Sequence, residues 1–386
     1  MRPVVFALAC LLLALLTPIM NARSDTVDPI DIVIGTQCVI HSGVLDEDRT
    51  LSIYLPYGYE ESNDRYPVLY LLDGHVTARL MLAASTMELL DADGKMPQMI
   101  IVGIDAPDAA RDYFPFALES RPASGRAENF LKFIADELIP FVDSSFRTHP
   151  YRVLCGFSNS GLFTLYATLT RPDIFQGSIA ASPTVGWSTD FVLAMADTAF
   201  RSSSFPARRL YMNYATDDLE RLVTEAVPEL VTFLNAKAPA NLAWTMEKLE
   251  GAGHVPYLSI HNGLSFVFGG WRFPTERLTE LGLAGVKAHY SRLTEQYGFP
   301  VKIPSAILFD LGRQYLRDSS YVDAIPVFQE YVEAYPRSVR GHYLLGESLL
   351  QNGDSNQALE YFKKALEIEP TFAPAKRRLE SLASGN

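Results

Sequence analysis

Cysteine is scarce in this chain of 386 residues. There are three, and Cys10 lies in an apolar N-terminal run, which leaves Cys38 and Cys155 for the folded part. Two thiols permit an oxidising compartment but make no disulfide framework. Cys155 sits in an apolar strand-like run and reads as a buried free thiol. Basic residues are also in short supply, 33 Lys and Arg against 45 Asp and Glu, for a formal charge of −12. No basic run answers a phosphate backbone, so a nucleic-acid partner is disfavoured. The N-terminal apolar run, Val4 to Met20, is somewhat short for a bilayer-crossing helix.

That first segment has Arg2, an unbroken apolar stretch from Val4 to Leu16, then Pro18 and small polar residues. This is the layout of a secretory signal peptide, residues 1–24, with cleavage after Ala22 or Ser24 and a periplasmic or secreted destination. An uncleaved anchor is the alternative. Cys10 lies inside the run rather than after it, so no lipoprotein site is read. The whole chain is 48% hydrophobic and 20% charged, a globular composition. At about 360 residues the remainder suits one large domain and a smaller one.

Two strand-like runs come first, Ile32 to Ile40 and Leu51 to Leu55, with a polar turn from Ser42 to Arg49 between them. Tyr66 to Leu72 is nearly all apolar, as in a strand covered on both faces. Strands at Met99 to Ile104, Val153 to Cys155, Ser178 to Ala181, Arg209 to Tyr214 and Leu242 to Leu249 then alternate with helical patterns, including one from Glu128 to Phe141. The alternation predicts an α/β domain over 25–272, with a mostly parallel sheet, an antiparallel start and helices on both faces.

From Pro304 on, Gly312, Ala324, Phe328 and Pro336 recur as Gly346, Ala358, Phe362 and Pro370. Four matches at a step of 34 residues have the period and residue types of tetratricopeptide repeats, two of them over 305–386 with a capping helix from Thr371 to Ala383. Two repeats seldom stand alone, so they are expected to pack on a helical linker, 273–304, through the stretch from Thr275 to Tyr297.

The chain is organised around Tyr151 to Leu165. An apolar strand ends at Gly156-Phe157-Ser158-Asn159-Ser160-Gly161, and helical spacing resumes at Leu162, Phe163 and Leu165. A serine at the apex of a strand–turn–helix is lifted clear of the sheet, and small neighbours let the backbone bend there. Ser158 is the candidate nucleophile. The pattern is G-x-S-x-S, and Ser160 departs from the usual final glycine. The plain alternative is a glycine-rich turn entering a helix.

A nucleophilic serine needs a base and the base an orienting acid. Among the histidines His254 is preferred, because it follows the last strand on the loop Glu250-Gly251-Ala252-Gly253. His261, His289 and His342 fall in helical patterns and suit packing or solvated roles. The acid is expected from the end of the preceding strand, Asp217 or Asp218, with Asp218 slightly preferred; either also suits the N-cap of a helix near Leu219. Oxyanion donors are expected from the backbone amides of Asn159 and, after the third strand, His75. Asp73-Gly74 there is otherwise a simple turn.

These residues resemble the esterase family of α/β-hydrolases that includes siderophore esterases, S-formylglutathione hydrolase, feruloyl esterases and mycolyltransferases. The likeness lies in Tyr70-Leu71-Leu72-Asp73-Gly74, Glu137-Leu138-Ile139-Pro140, the Ser158 turn with Gly161-Leu162-Phe163, Ala181-Ser182-Pro183 with Trp187, and Gly253-His254-Val255-Pro256. It spans about residues 30 to 270 and implies an α/β-hydrolase fold, carboxylic-ester hydrolysis and no metal or organic cofactor. Trp187 would line the substrate pocket by the same resemblance. Two functions are therefore expected. One is a serine carboxylesterase acting on a small-molecule ester, a siderophore ester included; the other is a catalytically idle domain whose repeats bind a protein partner.

Overall fold

The computed structural model describes residues 33–202, 204–218, 220–254 and 257–384. The signal-peptide segment, Leu219 and the Val255-Pro256 pair lie outside them. Among the described residues eight strands form one sheet: β1 (Thr36–Ser42), β2 (Glu47–Tyr54), β3 (Tyr66–Leu72), β4 (Ile100–Ile104), β5 (Thr148–Phe157), β6 (Gly177–Ala181), β7 (Arg208–Ala215) and β8 (Leu242–Leu249). Their order is β1-β2-β4-β3-β5-β6-β7-β8. β1 and β2 pair antiparallel, as do β2 and β4, and every later pairing is parallel. The first hairpin is tighter than the sequence suggested, because the strands run on to Ser42 and back from Glu47. Asp46, at φ 55°, turns the chain, and the Glu137 carboxylate accepts from Ser42 Oγ at 2.5 Å and Val44 N–H at 3.0 Å.

The parallel strands are apolar on both faces because helices cover both. Along β3, Val68, Tyr70 and Leu72 join one core while Leu69 and Leu71 join the other. Helices α1 (Thr77–Ala92) and α9 (Leu258–Val267) cover the second face. The first carries α2 (Ala109–Tyr113), α3 (Ala127–Phe133), α4 (Ile139–Ser145), α5 (Asn159–Thr170), α6 (Thr189–Phe200), α7 (Arg221–Thr224) and α8 (Ala226–Lys237). The single helix predicted from Glu128 widens into a π turn at Ile134–Leu138, where Ile139 N–H bonds Ile134 O. Pro140 has no N–H to give the carbonyl four residues back, and the wider turn absorbs that loss.

α10 (Leu278–Tyr297) buries Val286, Tyr290, Leu293 and Tyr297. Tyr297 stands 5.3 Å from Tyr151 and 5.2 Å from Trp271, ring centre to ring centre, which extends the second core off the sheet. That core continues through Ile303, Ile307, Leu308 and Leu311 into α11 (Ser305–Arg317), α12 (Tyr321–Ala334), α13 (Val339–Gln351), α14 (Ser355–Ile368) and α15 (Ala373–Ser384). The 34-residue step has a packing cause. A Cβ at Gly312 would stand 2.4 Å from Phe328 Cζ, and one at Gly346 2.7 Å from Phe362 Cε1. Each glycine is the seat of the aromatic ring from the second helix of its repeat. Phe362→Ala is expected to cost about 3–5 kcal/mol by emptying that seat, read as a lowered melting temperature by circular dichroism.

Candidate active site

β3, β5, β6, β7 and β8 are parallel, so their C-terminal ends share one edge, where open α/β sheets build their sites. Three non-glycine residues with left-handed backbone follow three adjacent strands there: Asp73 (φ 56°) after β3, Ser158 (φ 56°) after β5 and Ser182 (φ 43°) after β6. Strain of this kind persists only where the surroundings hold it. Ser158 N–H is tied to Ala181 O at 2.9 Å, and its carbonyl accepts from Leu162 N–H at 3.0 Å and Thr184 N–H at 3.3 Å. The chain then enters α5 at Asn159. Gly156 makes the turn possible, since a Cβ there would lie 2.2 Å from Ser160 O. Cys155 is fully buried just before it, and burial pushes its thiol well above the ordinary range.

His254 and Asp218 meet: Nδ1 stands 2.8 Å from Asp218 Oδ2. The Asp218 side chain is fully buried, whereas that of His254 is 36% exposed. Its other oxygen accepts from Glu220 N–H at 2.8 Å, which fixes the carboxylate's rotation. Asp217 faces a different task, accepting from Gly253 N–H at 3.1 Å and so holding the loop next to His254. Among the other histidines, His261 bonds Asn262 at 2.8 Å, His289 the Trp271 carbonyl at 2.9 Å and His342 the Pro336 carbonyl at 2.8 Å. His41 pairs with Asp48 at the first hairpin, and His149 stacks on Phe299.

The turn after β3 runs against β4, where a Cβ on Gly74 would lie 2.2 Å from Gly103 Cα. Gly74 N–H goes to Ile104 O and Val76 N–H to Asp73 O, one on each side of the His75 N–H. Asn159 N–H, at the first position of α5, has no preceding helical turn to bond. The His75 ring stands 2.9 Å from Asp105 Oδ1. Arg49, fully buried, donates to Asp105 O at 2.9 Å and to Asp112 at 2.7 Å, so the ends of β4 and α2 are anchored to β2.

The Asn159 side chain points toward Trp187: its Oδ1 accepts from Trp187 Nε1 at 3.1 Å and from Thr184 Oγ1 at 2.9 Å. Trp187 is 40% exposed and packs edge-on to Phe114 at 5.5 Å. Phe114 meets Phe116, which in turn meets Phe191, forming an aromatic wall. No periodic pattern in the sequence marks this wall, although Phe114 and Phe116 flank Pro115. Asp73, on the loop expected to supply the His75 amide, also has a side-chain role that its local sequence does not signal. Asp73 Oδ1 accepts from Tyr113 Oη at 2.9 Å, while Oδ2 accepts from Arg79 and from Ser160 Oγ at 2.8 Å.

The family described as "Putative esterase" matches residues 42–244, and a tetratricopeptide-repeat family matches 309–372. The ferri-bacillibactin esterase BesA of Bacillus subtilis is 26% identical over 223 residues, 50% of this chain and 75% of that one. An endo-1,4-beta-xylanase/feruloyl esterase of Xylanibacter ruminicola is 36% identical over 139 residues, 33% of this chain and 18% of its own length. In fold, the chain resembles an IroE-like serine hydrolase from Shewanella oneidensis, with TM-score 0.67 and 24% identity over 78% of this chain and 99% of that one. The family match covers more than half of the residues, and the chain belongs to the esterase family, with tetratricopeptide repeats following its α/β domain.

Proposed function

We propose that the protein is a serine carboxylesterase exported from the cytoplasm, with Ser158 as nucleophile, His254 as base and Asp218 as the acid that orients it. The observation that carries this reading is the 2.8 Å His254–Asp218 contact on the strand edge that also holds Ser158 in its left-handed turn. Asp218 holds the His254 Nδ1 proton and thereby presents the other ring nitrogen as base. His254 takes the Ser158 Oγ proton as the oxygen attacks the ester carbonyl carbon. The amides of Asn159 and His75 receive the negative oxygen, and its collapse expels the alcohol, protonated by His254. Water, deprotonated by the same ring, then attacks the acyl-enzyme and releases the acid.

The aromatic wall favours one substrate class within this chemistry. Trp187, bonded to Asn159, and Phe191 offer exposed flat apolar surface, with half-buried Phe116 between them and buried Phe114 behind, and two relatives are named as ferri-bacillibactin and feruloyl esterases. Catechol-bearing siderophore esters are therefore the second, narrower reading. A fluorophosphonate probe is expected to label Ser158, located by peptide mass mapping. Hydrolysis of p-nitrophenyl acetate, a feruloyl ester and a catecholate trilactone, measured in parallel, separates the readings. No labelling and no turnover of any of them would move the function to the repeats as a protein-binding module.

A further inference from the structure

Ser160 is where this chain departs from the usual esterase turn, and its hydroxyl occupies a defined place. The residue is buried in α5 two positions past the nucleophile. Ser160 Oγ accepts from Phe157 N–H at 2.7 Å and lies 2.8 Å from both Asp73 Oδ2 and Phe157 O. One hydroxyl has one proton, and a charged carboxylate is the stronger acceptor of the two. Asp73 is also held by Tyr113 and Arg79, and the Arg79 guanidinium lies 4.7 Å from the centre of the Phe157 ring. The bond spans 87 positions of sequence and joins the first turn of α5 to the loop after β3. The helix start carries the Asn159 amide, and the loop, two residues beyond Asp73, the His75 amide.

We infer that Ser160 and Asp73 form a positioning pair that fixes the spacing of the two oxyanion donors, so that glycine at 160, the usual residue, is the worse one in this protein. The inference rests on the proposed Ser158 mechanism. Neither side chain touches the substrate; Ser160 acts through the Asn159 amide beside it in α5 and Asp73 through the His75 amide two residues along its loop. A donor pair held at fixed spacing favours the tetrahedral oxyanion over the flat ester carbonyl. Loss of the pair therefore lowers kcat and leaves KM nearly unchanged.

The test compares Ser160→Gly, Ser160→Ala, Asp73→Asn and the Ser160→Ala/Asp73→Asn double variant on a p-nitrophenyl ester the unmodified protein hydrolyses. Each is also titrated with a trifluoromethyl ketone, which mimics the tetrahedral intermediate. Expected are kcat losses of about 10- to 100-fold in each single variant with KM within threefold. The ketone's Ki should weaken in parallel, and the double variant should lose little more than the worse single one. Circular dichroism separates folded variants from unfolded ones, and Ser160→Gly keeps the test available should Asp73→Asn fail to fold. Folded Ser160 variants with kcat within threefold of the unmodified protein, or with an unchanged ketone Ki, overturn the inference. Ser158→Ala run alongside keeps the two claims apart: if that variant stays active the mechanism itself falls, whereas if it alone is inactive only the positioning pair falls.

Discussion

Ser158→Ala is expected to lower kcat for ester hydrolysis by about 10⁴-fold or more, with the melting temperature nearly unchanged. The large kinetic effect follows from the loss of the atom that forms the acyl-enzyme. The small stability effect follows from what holds the turn: Ser158 is fixed through its backbone, by Ala181 O, Leu162 N–H and Thr184 N–H, and alanine keeps all of these. His254→Ala is expected to fall to a similar residual rate, and the double variant to add little, because nucleophile and base act as one unit. Steady-state assays and thermal unfolding on the same preparations check this. Activity within tenfold of the unmodified protein in Ser158→Ala would remove the serine mechanism.

The two neighbouring aspartates give the second large effect and its internal control. Asp218→Asn keeps the shape of the side chain but presents an amide to His254 Nδ1, where the wrong tautomer becomes favoured. A kcat loss of about 10³- to 10⁴-fold is expected. Asp217→Asn keeps an oxygen for the Gly253 N–H, and a loss below tenfold is expected, since that bond only steadies the loop. Equal losses in both variants would count against Asp218 as the orienting acid. Buried Asp218, which accepts from Glu220 N–H as well, also predicts that Asp218→Ala destabilises the chain more than Asp217→Ala, because it strands the Glu220 N–H and opens a gap. Chemical denaturation of the two alanine variants checks that ordering.

The parts legible in the sequence are those encoded by neighbours along the chain. The elbow could be read because a strand, small residues and a helical pattern lie within fifteen positions. The repeats could be read because Gly312 and Phe328, then Gly346 and Phe362, are spaced by the geometry of one helical hairpin. The antiparallel opening of the sheet could be read because β1 and β2 have no room for a helix between them. The first hairpin and the helix after Ala127 run further than their local patterns indicate, since Glu137 pins the hairpin from 93 positions away and Pro140 acts through a wider turn.

The site itself divides along the same line. Sequence alone determined that a serine would stand at a strained turn, that a histidine loop would follow the last strand, and that two aspartates would follow the strand before it, because each is a local pattern of chain order. Only the tertiary structure separates Asp217 from Asp218, because two adjacent residues leave a turn in different directions: the first meets Gly253 N–H and the second His254. Only it gave Asp73 and Ser160 a shared bond, since nothing in either neighbourhood encodes a contact across 87 residues. Contacts of that kind are set by the sheet, which brings the ends of β3 and β5 side by side and leaves a buried hydroxyl and a carboxylate to pair there.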